Sequence, residues 1–339
     1  VSGSAKGRDM DWLTVFQNSI TQMIGVSAVI YCLAALGLNI QFGYAGLLNF
    51  GQAGFAAIGA YAIAVTVATL GWPLWLALIF GIIGAIIFAL ILGIPTLRLR
   101  ADYLAIVTIA AAEIIRQVAR SVSLNDYLGG SDGITGKYAA DWYALNPFPA
   151  GIDTAIIKFS RNDLWVVLNG WVLVGVIVLL TWLLMRSPWG RVLKSIREDE
   201  DAVRSLGKNV YLYKMQALTL GGVIGAFAGI VFAVAAQSVQ PDNYSTTLTF
   251  FAYAVLILGG AARVFGPVVG AMIFWFLLVF VGQALNNAVK AGYIAPSILR
   301  PDQVGQVQFM LVGLGLMALM IFRPQGIFGD KKELALDER

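Results

Sequence analysis

Apolar runs close to 20 residues long recur along this chain, and they constrain its fold more than any other feature. They fall at about 12–38, 44–70, 73–97, 103–122, 164–185, 214–236, 249–262, 264–285 and 305–322. A run of that length crosses a hydrocarbon core of about 30 Å as a helix. Hydrocarbon offers no partner for backbone N–H and C=O groups, so only helices and closed barrels span it. The short alternating segments of a barrel are absent. The pattern therefore predicts an all-α polytopic membrane protein with about 8–10 transmembrane helices. Composition agrees: 59% of the 339 residues are hydrophobic and 12% charged, against about 25% charged in soluble domains. Two runs depart from an ordinary crossing. Residues 44–70 hold many glycines, and 249–262 is short and ends in Leu258-Gly259-Gly260. Both are expected to be broken or re-entrant helices.

Composition also excludes functions. One cysteine, Cys32, rules out an internal disulfide. Histidine is absent, which removes the commonest metal ligand and neutral-pH proton carrier. The net charge of +4 is explained by cytoplasmic loops, and nothing points to nucleic acid.

Basic loops stay in the cytoplasm. Arg186, Arg191, Lys194, Arg197, Arg204 and Lys208 form the largest basic cluster. Arg98, Arg100, Arg323, Lys331 and Lys332 agree with it and put the C-terminus inside. The acid-rich loop 123–163 suits the outer face. Nine single crossings place the N-terminus outside; one run made of two passages places it inside. Residues 1–11 read as a polar leader.

Several clusters are candidates for function. Segment 39–61 carries Gly43, Gly46, Gly51, Gly54 and Gly59, with the amides Asn49 and Gln52 at membrane depth. Glycine permits unwound backbone or close helix approach. An unpaired amide in hydrocarbon costs several kcal/mol. The segment is then either a broken helix lining a substrate path or a tightly packed one with its amides bonded between helices. Gly221, Gly225 and Gly229 share one helix face, as do Gly266 and Gly270, and both sets point to helix packing. Glu113, Arg116, Gln117 and Arg120 share another face. They are expected to pair with each other near the outer end, or else to meet substrate. A further hint is the recurrence of Phe42-Gly43-Tyr44-Ala45 as Phe251-Ala252-Tyr253-Ala254, which is either a trace of two related halves or chance.

Segment 130–137, GSDGITGK, imitates a phosphate loop only superficially. Five residues separate Gly130 from Gly136 where a phosphate loop has four, and Tyr138 follows the lysine. It reads as a turn in the outer loop, and the chain holds no recognisable ATPase site. Segment 186–210 is more informative. Pro188 and Gly190 break the preceding helix. A short amphipathic helix is expected over 191–207, with Val192, Ile196, Val203 and Leu206 as its apolar stripe and Gly207 as its C-cap. Such a helix suits either a groove on a partner protein or the lipid surface. The acidic run 198–201 disfavours anionic lipid.

Five segments in order resemble the LivM-type permeases of branched-chain amino acid ABC importers: FGYAGLLNFGQAGFAAIGAYA (42–62), GGSDGITG (129–136), SPWGRVLKSIREDEDAVRSLG (187–207), ILGGAARVFGPVVGA (257–271) and FRPQGIFG (322–329). The resemblance implies a type II importer permease and a membrane domain over 12–322. That domain includes the outer loop 123–163 and a cytoplasmic coupling loop 186–213, and a cytoplasmic tail follows at 323–339. Permeases of this kind carry Glu-Ala-Ala-xxx-Gly on the helix that docks into the ATPase. Asp201-Ala202-Val203, three residues, then Gly207 is a loose version of it, with Arg197 and Glu198 on the same segment. The implied partners are a second, LivH-like permease, two LivG/LivF-like ATPases that bind the ATP, an extracytoplasmic binding protein and membrane lipid. No cofactor is implied, and the subunit is a transport component of the inner membrane, not an enzyme. Candidates for the translocation pathway are Tyr44, Asn49, Gln52, Glu113 and Arg116. The rival readings are a urea or short-chain amide importer and a self-sufficient secondary transporter or channel. A membrane enzyme would be a third class, without a recognisable catalytic constellation.

Overall fold

Gly25 decides where the first apolar run stops being one helix. The computed structural model describes residues 12–97, 101–136, 138–154, 156–291, 293–294, 299–323 and 325–328. It divides the run expected over 12–38 into α1 (Trp12–Met23) and α2 (Val26–Leu38). Gly25 stands extended between them, and a Cβ there would meet the Thr21 carbonyl at 3.0 Å. α2 then widens into π-helical turns over Asn39–Tyr44 and stops. Gly46 takes a left-handed φ of +67°, which L side chains rarely adopt. The backbone stays non-helical until α3 (Gln52–Ile63), which itself ends in π-helical turns over Ala64–Thr69. The break expected in run 44–70 is therefore present, over residues 45–51.

The next pair is α4 (Leu74–Thr96) and α5 (Ala101–Ala119). A segment of short elements follows: α6 (Asn125–Leu128), β1 (Ile134–Thr135), α7 (Ala140–Ala144), β2 (Ile152–Asp153) and β3 (Lys158–Phe159). Then come α8 (Arg161–Arg186), α9 (Pro188–Glu198), α10 (Glu200–Ser205), α11 (Val210–Ala236) and β4 (Ser238–Val239). The chain closes with α12 (Thr246–Gly259), α13 (Gly266–Lys290) and α14 (Val304–Phe322). β1 pairs antiparallel with β4, Ile134 opposite Val239, so the segment after α5 is tied to the end of α11.

Among the described residues, seven helical stretches are long and apolar enough to cross a membrane: Trp12–Tyr44, Gln52–Thr69, Leu74–Thr96, Arg161–Arg186, Val210–Ala236, Gly266–Lys290 and Val304–Phe322. The first of them contains the bend at Gly25. The 19-residue α5 and the 14-residue α12 pack among them. The architecture is the all-α polytopic one read from the apolar runs.

α11 is the hub, packed against α2, α3 and α4. Its glycine stripe permits this. A Cβ on Gly221 would lie 2.5 Å from the Gly37 carbonyl oxygen of α2, and one on Gly229 would lie 1.8 Å from the Ala56 carbonyl oxygen of α3. Helices in lipid gain from such close backbone approach because the solvent gives no hydrophobic drive. α12 and α13 approach in the same way, with a Cβ on Gly270 placed 2.1 Å from the Val255 carbonyl oxygen. Outward faces are apolar. On α4, Ile79, Ile83, Ile87 and Ile91 are exposed at steps of four, one stripe of the helix.

The tetrapeptides 42–45 and 251–254 occupy different settings, the first at the end of α2 and the second within α12. They meet in space: the Phe42 and Tyr253 rings stand edge to face at 5.6 Å. Arg98, Arg100, Lys137, Lys331, Lys332 and the leader 1–11 lie outside the described residues.

Candidate functional site

Unwinding residues 45–51 strips the backbone there and in the first turn of α3 of helical partners, and side chains from α5, α12 and the segment itself replace them. Thr108 of α5 accepts from Phe50 N at 3.0 Å, and Thr249 of α12 accepts from Ala53 N at 2.9 Å. The Tyr253 hydroxyl donates to the Asn49 carbonyl at 2.9 Å. Asn49 accepts from Gly51 N at 2.8 Å.

The amides form a continuous network. Asn49 Nδ2 donates to Gln41 Oε1 at 2.8 Å and to Gln52 Oε1 at 3.3 Å. Gln41 Nε2 donates to the Leu218 carbonyl of α11 at 2.9 Å. Gln52 Nε2 donates to the Ala34 and Gly221 carbonyls at 3.3 and 3.2 Å. Gly225 leaves room for it, since a Cβ there would meet Gln52 Nε2 at 2.5 Å. Asn39, Gln41, Asn49 and Gln52 are all at 0% exposure. Asn49 and Gln52 thus point into protein, bonded between helices, and they do not line an open cavity. Losing one partner of such a buried amide costs about 1–3 kcal/mol.

Asn39 and Gln41 stand beside the same apolar run, with no spacing that marks them in the sequence. Asn39 clamps the turn between α12 and α13. Its Oδ1 accepts from Ala262 N at 2.9 Å, and its Nδ2 donates to the Arg263 carbonyl at 2.8 Å. Ala262 is held at a φ of +59°, a left-handed conformation that costs a residue with a Cβ about 1–2 kcal/mol.

Segment 186–208 forms two helices, where one over 191–207 is expected from the pattern. α9 begins earlier, with Pro188 in its first turn, and the break falls at Asp199. Asp199 is extended (φ −152°, ψ 101°), and its side chain accepts from Ala202 N at 2.9 Å, which caps α10. Ile196 and Val203 are buried with Val210, and Val192 packs against them. Leu206 does not belong to that stripe: it is 79% exposed. Gly207 ends α10 at φ +74°. Glu198, Asp201 and Ala202 face outward, while Val203 is buried. Arg204 bridges Glu200 at 2.8 Å and Asp201 at 2.9 Å.

This pair of helices is joined to the broken segment. Arg197 Nη1 donates to the Gly43 carbonyl at 2.6 Å. Gly46 abuts the same side chain, with a Cβ there 3.3 Å from Arg197 Cγ. The Lys194 ammonium lies 5.6 Å over the Tyr44 ring, within cation–π range.

At the other end of the bundle the expected ion pair is present. Arg116 donates to both oxygens of Glu113, at 2.8 and 2.6 Å, and Gln117 donates to Glu113 Oε1 at 2.7 Å. A third member, distant in sequence, joins it without any local pattern that marks it. Arg116 Nη1 also meets Asp242 at 2.6 Å, and Arg120 meets it at 3.3 Å. Asp242 lies in the 3₁₀ turn Pro241–Tyr244 that leads into α12. The cluster therefore ties the end of α5 to the start of α12. The turn at Gly129–Gly133 is close by in the fold: Gly129, Gly130 and Gly133 all have positive φ, and the chain passes from them into β1. It is not the strand-to-helix turn of a phosphate loop.

Residues 20–321 match the family described as "Branched-chain amino acid transport system / permease component". The chain is 31% identical over 314 residues to the high-affinity branched-chain amino acid transport system permease protein LivM of Escherichia coli (strain K12), covering 90% of this chain and 69% of that one. It is 25% identical over 348 residues to the probable branched-chain amino acid transport permease protein LivM of Methanocaldococcus jannaschii, covering 89% and 91%. It is 26% identical over 266 residues to the nucleoside ABC transporter permease protein NupC of Lactococcus lactis subsp. cremoris, covering 74% and 75%. The match takes in the broken segment, both glycine seams and α9–α10, and the chain belongs to the branched-chain amino acid transport system permease family.

Proposed function

We propose that this chain is the membrane-spanning subunit of an ATP-driven importer of branched-chain amino acids, working by alternating access. The observation that carries the reading is the link from the exposed α9–α10 pair through Arg197 to Gly43 and the broken segment. A separate ATPase that closes on ATP would press on the outward face around Glu198, Asp201 and Ala202. Arg197, Val203 and the turn at Gly207 would hold that face to the bundle. The push would then reach the end of α2 and the amide network, where Asn49 and Gln52 bond α3 to α2 and α11. Buried amide networks are rigid when fully satisfied, so this one would move as a unit.

The solute would pass along the face that Tyr44 and the broken segment share with neighbouring helices, with Glu113 and Arg116 at the outer mouth. The basic 186–208 segment and the C-terminus are assigned to the cytoplasm. The partners are a LivH-like second permease, two LivG/LivF-like ATPases and an extracytoplasmic binding protein. Relatives are named for branched-chain amino acids and for nucleosides. That spread supports assigning substrate choice to the binding protein, with this subunit supplying the route.

The test is reconstitution with the candidate ATPases and binding protein. Uptake of a branched-chain amino acid should require ATP hydrolysis and survive dissipation of the proton gradient while ATP is maintained. Uptake by this chain alone, driven by a proton or sodium gradient without ATP, would overturn the proposal in favour of a secondary transporter.

A further inference from the structure

The end of the bundle that carries α9 holds a cavity of about 370 Å³ between α8, α9 and the α12–α13 turn. Three cationic residues line it, Arg186, Lys194 and Arg263, together with Trp182, Tyr44 and Phe265. No carboxylate lines it among the described residues. The cationic side chains come from three different elements. The Arg186 guanidinium lies 3.9 Å over the Trp182 ring, and Lys194 lies over Tyr44. Arg263 is carried by the turn that Asn39 clamps from α2, in which Ala262 is held left-handed. The fold thus holds positive charge at this place with rigid supports.

The cavity also has a definite place relative to lipid. Val172, Val176, Leu179 and Leu183 of α8 are exposed. Their spacing of four, three and four puts them on one helical face, and three residues further along that face is Arg186. An apolar stripe suited to acyl chains therefore runs into a basic, aromatic-lined pocket at the helix end. Phe265, 62% exposed, borders the same pocket. Tryptophan and basic side chains at this depth match the headgroup layer, and basic pockets between helices at that level take anionic headgroups.

We infer that this cavity is a binding site for one anionic phospholipid, its phosphate held by Arg186, Lys194 and Arg263 and an acyl chain lying along the outer stripe of α8. The site bears on coupling, because the headgroup would bridge α9, which carries Arg197, and the turn clamped to α2.

The experiment uses the full chain, delipidated in detergent, with native mass spectrometry as readout. Dioleoyl phosphatidylglycerol, dioleoyl phosphatidylcholine and inorganic phosphate are titrated separately. One phosphatidylglycerol should bind clearly tighter than phosphatidylcholine. Arg186→Gln, Lys194→Gln and Arg263→Gln should each weaken it about five-fold, the factor one basic side chain near an anionic surface contributes. Lys208→Gln, in the same basic segment but outside the cavity, should change nothing. Phosphatidylglycerol should also raise the melting temperature of the parent chain more than that of Arg186→Gln. If Arg263→Gln fails to fold, the exposed Arg186 and Lys194 variants decide the matter. Equal binding of the two lipids overturns the inference. So does a loss in Lys208→Gln as large as in the cavity variants, which means diffuse surface charge. Inorganic phosphate that binds as tightly as phosphatidylglycerol means a free-anion site, and that also overturns it.

Discussion

The guanidinium of Arg197 donates to the carbonyl of Gly43 at 2.6 Å, across 154 residues of sequence. Through this bond a helix outside the bundle holds the last turn of a helix inside it. A hydrogen bond to a charged group contributes about 1.5–3 kcal/mol. Arg197→Ala should therefore reduce ATP-driven uptake several-fold while leaving the amount of protein in the membrane near normal. Arg204→Ala, which removes only contacts within α10, should leave uptake close to the parent. Uptake equal in both variants would show that the Gly43 contact transmits nothing.

Ala202 faces outward on α10 beside the buried Val203. A bulky charge there spares the bundle and obstructs whatever docks. Ala202→Glu should abolish uptake and ATPase association, with melting temperature unchanged. Normal association measured by co-purification would refute the docking role of this face.

Gly229 and Gly51 sit against backbone. A Cβ would lie 1.8 Å from the Ala56 carbonyl oxygen in the first case and 2.5 Å from the Thr108 carbonyl oxygen in the second. Carbonyls of a packed helix do not swing aside as a side chain end does. Gly229→Leu and Gly51→Leu should each destabilise the protein by about 3 kcal/mol or more, read as lost thermal stability in detergent. Leu48→Ala, at a half-buried position, should change stability by about 1 kcal/mol. The same ordering should appear in uptake.

Asn39 secures the strained turn at Ala262. Asn39→Leu leaves Ala262 N and the Arg263 carbonyl without their side-chain partner, and should destabilise by about 1–3 kcal/mol. Ala262→Gly relieves the left-handed strain and should restore about 1 kcal/mol in that background. A double variant no more stable than Asn39→Leu alone would mean that the turn is not strained.

The cluster of Glu113, Arg116, Arg120 and Asp242 should contribute little to stability. Asp242 is 65% exposed, and exposed pairs measure about 0–1 kcal/mol. A double-mutant cycle on Arg116 and Asp242 should give a coupling in that range that shrinks in high salt. A coupling above this range, insensitive to salt, would show a desolvated pair.

The helices were legible because lipid imposes a length and an apolar composition that single residues display. The glycine seams were legible for a related reason: Gly221, Gly225 and Gly229 recur at the spacing of one helix face. What could not be read is pairing at a distance. Asp242 completes a cluster begun at Glu113, and Asn39 finds its partners at Ala262 and Arg263, yet neither has a local pattern. The break at Asp199 is a different case. Its cap, an acidic side chain bonded three residues on, is a local signal, but Asp199 is one of four consecutive acidic residues and nothing in the run singles it out. The bend at Gly25 was hidden because apolar residues continue through it.

The amide network also sets an order for biogenesis. Gln41 finds the Leu218 carbonyl 177 residues downstream, and Gln52 finds the Gly221 carbonyl 169 residues downstream. Synthesis at about 5–20 residues per second puts an interval on the order of ten seconds between the amides and their partners. For that interval the first helices carry unfinished polar groups into a forming bilayer. They have to be sheltered beside the insertion machinery until α11 emerges and locks them. A chain stopped before Val210 should accordingly be recognised and degraded as an orphan, whereas one stopped after Ala236 should already hold its early helices together.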